Sequence, residues 1–278
     1  MYIKCWGSRG SIPVSGKDHV KYGGDTTCLE IRTKSDDIII VDAGTGIRRL
    51  GNKLISENRF KYKLIFTHAH WDHVMGFPFF RPIYNKECEI RMYRCPFPAY
   101  VKKMLSNVMT YPHFPVKYSD IMATISYEEN CSPGFEIGSV KVIPIALSHP
   151  NTGSGFKFIE DGKTFVFITD NELSFIHPGG LPYEAYAEFC SDADLLFHDA
   201  EYTPGEYERF MEFGHTSYTR ALDLALESGV RKFGLFHLNQ DRTDRQMDKI
   251  VKECKSIISK KKSRLKCFAV ASNTEFVL

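Results

Sequence analysis

The chain has 278 residues, 43% of them hydrophobic and 25% charged, with a formal net charge of +2. That is ordinary globular composition with a core large enough to need no staples, and it argues against a nucleic-acid binder held by bulk positive charge. No stretch suits a signal peptide or a membrane span, and the eight cysteines are scattered with no C-x-x-C pair, so the expectation is a cytoplasmic protein with reduced thiols and no membrane partner.

In chain order, six continuous apolar runs read as strands buried on both faces, and each ends in polar residues. Asp37–Gly44 (DIIIVDAG) ends in Asp42, and a helix is expected over Thr45–Glu57, with Ile47, Leu50 and Leu54 on one face. The run before THAHWDH delivers His68, His70, Asp72 and His73. Residues 76–130 are rich in Phe, Tyr, Pro and Met, and read as an excursion from the sheets that acts as a lid, a dimer contact or a satellite core under a long loop. Further runs end at His149, at Asp170, at His198 and Asp199, and at His237. A helix is expected from the N-cap Ser217 to Gly229 and another over 241–260, with aspartates early and lysines late as the helix dipole favours. The basic run Lys260–Lys266 reads as a solvated helix end, with RNA docking as the sharper reading. Strands mixed with helices throughout predict a layered α/β (α+β) fold, in a single domain over 1–278.

The repetition of titrating groups at strand ends points to a site. In an extended segment His68 and His70 share a side and can face one ion. A helix starting near Trp71 turns Asp72 and His73 toward a second. Imidazole and carboxylate without cysteine suit Zn²⁺, Mn²⁺ or Fe²⁺. Asp42 reads as an acid that orients a ligand from behind, or as one that accepts backbone hydrogen bonds in a Gly-rich turn.

THAHWDH resembles the H-x-H-x-D-H signature of the metallo-β-lactamase superfamily. The resemblance runs from GSRGSIP near the start to FHL at Leu238 and implies an αββα sandwich. It implies that His68, His70 and His149 hold one divalent metal, that Asp72, His73 and His237 hold the other, and that Asp170 bridges them. HDA at 198–200 and GHT at 214–216 are similar to the paired motifs of ribonuclease Z and its phosphodiesterase relatives. There His215 would donate a proton to the leaving group, Asp199 would hold its tautomer, and Asp72 would also orient the attacking water. The opening segment resembles a bacterial phosphodiesterase group in which GGNT is the commoner form. Asp25 here replaces the Asn, and a carboxylate there would repel phosphate. Arg9 reads either as a partner for phosphate or as an exposed turn residue. His198 reads as a supporting or structural residue. His19, His113 and His177 fall outside the pattern as surface or local residues, with His113 placed where it could face substrate.

The resemblance implies a dinuclear metal phosphodiesterase acting on a small substrate such as a cyclic nucleotide, with zinc the first expectation and a homodimer the expected assembly. The aromatic segment would stack a base. One alternative is a ribonuclease Z-like RNA 3′-processing nuclease. The other is a di-iron oxygen-binding sensor, which would carry a carboxylate where this chain has His70.

Overall fold

In the computed structural model, which describes residues 1–93, 101–128 and 133–278, the run Ile38–Val41 alternates between two cores. Ile38 and Ile40 face outward under a helix, whereas Ile39 and Val41 face inward toward a second sheet. A strand has a side-chain period of two, so an unbroken apolar run is what a strand covered on both faces requires. The same division recurs at 165–168, where Phe165 and Phe167 face inward while Val166 and Ile168 face outward.

The first half of the chain gives β1 (Tyr2–Gly7), β2 (Cys28–Arg32), β3 (Ile38–Val41), α1 (Ile47–Ser56), β4 (Lys61–Ile65), α2 (Trp71–Val74), β5 (Glu89–Tyr93), α3 (Val101–Val108) and β6 (Thr124–Glu128). The second half gives β7 (Phe135–Ile137), β8 (Val140–Ala146), β9 (Ser154–Glu160), β10 (Lys163–Ile168), α4 (Tyr183–Phe189), β11 (Leu195–Asp199), α5 (Pro204–Tyr207), α6 (Tyr218–Glu227), β12 (Lys232–Phe236), α7 (Asp244–Lys260), β13 (Lys266–Ala269) and β14 (Glu275–Val277). Among the described residues the strands form two seven-stranded sheets, β14-β1-β2-β3-β4-β5-β6 and β13-β12-β11-β10-β9-β8-β7. Helices cover both outer faces, which makes the αββα sandwich. α1 and α3 pack on the first sheet and α4, α6 and α7 on the second.

The strand directions gather the site. β3 and β4 are parallel, as are β10, β11 and β12. β8 and β10 are each antiparallel to β9, so β8 runs the same way as β10. Within each sheet, the expected strands therefore deliver their polar ends to one edge.

The expected helices form with the expected ends. The Ser217 side chain accepts the Arg220 N–H at the start of α6, Gly229 follows its end at φ 68°, and α7 has Asp244 in its first turn and Lys260 in its last. The reading of 76–130 is corrected. Two of its stretches return to the first sheet as β5 and β6, because Ile90 and Met92 alternate with Glu89 and Arg91 and bury one face. Much of the aromatic remainder packs against the outer core under α1 and α3. The CPFPAY stretch at 95–100 lies outside the described residues. Six described cysteines are free and buried. Among the described residues no helix is long and apolar enough to cross a membrane.

Candidate metal centre

His68 and His70 lie in the extended segment after β4, and α2 begins at Trp71, as the spacing predicts. The turn into the helix divides the motif. His68, His70, His149 and Asp170 bring one ligand atom each within 4.8 Å of one another, and Asp72, His73, Asp170 and His237 do the same beside them. Asp170 belongs to both groups. Its Oδ1 is 3.2 Å from Nε2 of His73, and its Oδ2 is 3.6 Å from Nε2 of His68 and 3.1 Å from Nε2 of His237. All seven predicted ligand residues are therefore brought together.

These residues fit a pair of divalent cations. Nε2 of His68 and Nε2 of His73 are buried and, despite the nearby carboxylates, make no well-aligned hydrogen bond among the described residues, a costly condition that a cation would relieve. The backbone is also held in an unfavourable region at three strand ends, with positive φ at Asp42 (63°), Asp170 (51°) and His237 (54°). Such conformations cost on the order of 1–3 kcal/mol each and concentrate at functional sites.

The remaining ring nitrogens are held from behind. Nδ1 of His73 lies 2.7 Å from Oδ2 of Asp42, whose Oδ1 accepts the Thr67 N–H. Asp42 thus orients a histidine from behind, and the backbone N–H it accepts comes from Thr67 in the next strand's loop rather than from its own Gly-rich turn. Nδ1 of His149 lies 2.9 Å from the Gly214 carbonyl, and Nδ1 of His237 lies 2.8 Å from Glu201. Each of these bonds fixes the ring so that Nε2 faces the cluster. Space matters as well. A Cβ at Gly214, where φ is +90°, would stand 2.2 Å from Nδ1 of His149, and one at Gly10 would stand 2.2 Å from the His237 ring.

The electrostatics divide the two groups. Burial pushes His68 and His70 below the ordinary imidazole range and His149 down to about 3, so these rings are neutral and their lone pairs are available. Burial also opposes charge on His73 and His237, but nearby carboxylates outweigh it. Asp72, Asp170 and Asp42 raise His73, and Asp170, Asp72 and Glu201 raise His237. The field that draws protons there is one that a cation would occupy.

Beside the second group, Nδ1 of His215 lies 2.6 Å from Oδ2 of Asp199, and its ring stacks on His237 with centroids 4.5 Å apart. The His215 side chain is 12% exposed. Burial would lower its pKa, but the charges of Glu201 and Asp199 raise it to about 9. Asp199 also accepts the N–H groups of Glu201 and Thr216.

Two residues escaped the sequence reading. Glu201 supports His237. Glu172 is buried and accepts from His177 Nε2, Tyr207 OH and the N–H groups of Glu212 and Gly214, all between 2.7 and 2.9 Å. It pins the loop whose Gly214 carbonyl holds His149 and whose next residue is His215. The available signal was position, since each follows a predicted site acid by two residues.

One other expectation, that for Arg9, needs correction. Arg9 is neither exposed nor free for phosphate. It is buried, and its guanidinium donates to the carbonyls of Gly23, Asn239 and Arg242, because a buried cation must find acceptors. Of the two readings of His177, surface or local, the local one holds: it is buried and pairs with Glu172, five positions before it. His198 is buried, with Nδ1 on the Asp199 carbonyl and Nε2 3.4 Å from Asn171, and belongs to neither ligand group. Asp25 pairs with Arg49 at 2.8 Å. His113 is exposed and lines a cleft with Ala69 and Trp71, the neighbours of His70.

Comparison with known proteins bears on the family and the fold. A family described as the beta-lactamase superfamily domain matches residues 38–238. A ribonuclease Z from Haloarcula marismortui is 22% identical over 293 aligned positions, which cover 92% of this chain and 91% of that protein. Among solved structures, a diphosphatase from the PhnP family matches with a TM-score of 0.70 at 16% identity, covering 100% of this chain and 97% of the other. The short form of human tRNase Z (ELAC1) matches with a TM-score of 0.65 at 16% identity, covering all of both chains. These two structures share the αββα sandwich with this chain.

Proposed function

This chain belongs to the β-lactamase superfamily, a family of metal-dependent hydrolases, and from that premise we propose that it is a dinuclear metal phosphodiesterase acting on a small phosphodiester, such as a cyclic nucleotide. The observation that carries the proposal is the meeting at Asp170 of two residue groups able to hold a cation, with a carboxylate–imidazole pair beside them. A phosphodiester repels an attacking anion and releases a poor leaving group, so it needs both parts.

His68, His70 and His149 would hold one ion, Asp72, His73 and His237 the other, and Asp170 would span the two. Bound there, the ions would neutralise phosphate charge and acidify water. The protein's own side chains do the rest. Asp170 fixes the separation of the two groups. Asp72 offers its carboxylate to the attacking water. Asp42, Gly214 and Glu201 keep three ligand rings aimed inward. His215 donates Nδ1–H to Asp199 and presents Nε2–H to the leaving oxygen. Ligand chemistry admits Zn²⁺, Mn²⁺ or Fe²⁺, with zinc the first choice.

A second reading, a ribonuclease Z-like RNA 3′-processing nuclease, draws support from the match to ribonuclease Z over most of both chains. The near-neutral net charge favours the small substrate. The di-iron oxygen-binding reading has the least support, because His70 rather than a carboxylate completes the first group. The test is a panel of substrates given to metal-reconstituted protein: bis-p-nitrophenyl phosphate, 3′,5′- and 2′,3′-cyclic nucleotides and a tRNA precursor. The proposal expects turnover of a cyclic nucleotide. Cleavage of the tRNA alone would replace it with the nuclease reading.

A further inference from the structure

The ligand motif carries large apolar side chains that the fold leaves in solvent. Trp71, between His70 and Asp72, is 71% exposed, and Phe79 is 57% exposed. Aromatic side chains of this size are normally covered, and exposed clusters beside a polar centre mark binding surfaces. Here they line a cleft of about 380 Å³ together with Ala69, Met104 and Asn107 of α3, His113 and Phe114. Phe79 packs edge to face on Phe114, with centroids 5.5 Å apart at 82°.

Three features narrow the occupant. The cleft lies next to the ligand segment, so a phosphodiester held at the centre would place one ester group in it. Its described lining contains no Lys, Arg, Asp or Glu, so it offers nothing to a second phosphate. Its volume lies at the small end of the range for ligand pockets, which suits one ring system rather than a run of nucleotides.

We propose that this cleft is the subsite for the organic group of the substrate, and that it takes a single nucleobase against Trp71 and Phe79. The Asn107 amide and the His113 imidazole supply the polar contacts to the base edge. The proposal rests on the phosphodiesterase reading for the position of the phosphate, but it can be tested without turnover. The chain has two tryptophans, and Trp6 is buried, so Trp71 is the solvent-facing reporter.

The experiment titrates metal-loaded protein with adenosine 5′-monophosphate and with ribose 5-phosphate and follows tryptophan emission. The nucleotide should change the emission saturably, and the sugar phosphate should not. Trp71→Phe should lose the signal, and Phe79→Ala should weaken nucleotide binding about tenfold or more, the scale of a lost base–aromatic stack. Equal responses to the two compounds, or unchanged affinity in Phe79→Ala, would overturn the proposal. So would a wild-type dimer that Trp71→Ala converts to monomer, since a second copy would then cover the cleft. A matched assay separates the two claims. Nucleotide binding without turnover of any phosphodiester would remove the phosphodiesterase reading and keep the subsite. Equal turnover of cyclic phosphates with and without a base would do the reverse.

Discussion

Oδ2 of Asp199 lies 2.6 Å from Nδ1 of His215, which leaves Nε2 as the ring's free nitrogen toward the site. Removing the ring by His215→Ala should leave both ions bound and slow turnover of unactivated phosphodiesters by about 10²–10⁴-fold. The pH dependence has a definite sign. His215 is protonated below about 9 and can give up a proton there, so the rate on an unactivated ester should fall as pH rises through that region. Neighbouring cations disfavour a further positive charge and move the fall to lower pH. A p-nitrophenyl ester, whose leaving group needs no proton, should keep its rate in the variant. Pre-steady-state rates on the two ester types make the comparison. Full rate on the unactivated ester would remove His215 as donor.

Asp42 should matter through His73. The carboxylate accepts the proton on Nδ1, and Asp42→Asn replaces that acceptor with an amide able to present a donor. Loss of such support weakens metal affinity by roughly 10–100-fold. The second ion should be the one affected, so competition with a chelator should show one equivalent weakened and the other retained. Equal weakening of both would mean that Asp42 acts on the whole fold.

Glu172 makes a different prediction, because it reaches the centre through a loop. Its oxygens meet four donors, so Glu172→Gln forces an amide N–H against at least one of them. A buried mismatch of this kind costs about 1–3 kcal/mol. The expected result is a lower melting temperature, together with weakened binding of the ion at His149, whose ring hangs on the Gly214 carbonyl. Lower stability with unchanged metal affinity would confine Glu172 to a structural role.

Metal binding should release protons. Carboxylates hold protons on His73 and His237 above the ordinary imidazole range, and an ion must displace them. Affinity should therefore rise with pH near neutrality. Calorimetry in buffers of different ionisation enthalpy counts the protons released, and a pH-independent affinity with none released would contradict the assignment.

The two-sided strands were legible because an unbroken apolar run such as Ile38–Ile40 has little other use. β5 and the edge strand β6 were not, because each is half open to solvent and dilutes that signal with polar residues such as Glu89 and Arg91 of β5, and the aromatic neighbours read as a loop. The strand-end residues of the candidate site were legible because strand ends and the turn into α2 place them by local geometry, whereas the sharing of His149, Asp170 and His237 between two ions and the part of His215 came from the resemblance to the metallo-β-lactamase superfamily. What supports them was not. The donors to Glu172 come from 5 to 42 positions away, and the three carbonyls that hold Arg9 come from 14 to 233 away. Nothing local to either residue announces those partners. His198 reads from the sequence as supporting or structural, and its burial away from the ligand groups has a simple reason: neighbours on a strand point to opposite faces and Asp199 faces the site.

The most direct test of the central claim is activity against bound metal. Metal-free protein would be titrated with Zn²⁺ while hydrolysis of one phosphodiester and metal content are measured on the same samples. The account predicts that activity rises with occupancy up to two equivalents, and that Asp170→Ala loses tight binding of both ions and activity together. Full activity at one equivalent, or two bound ions with no phosphodiester turned over, would contradict it.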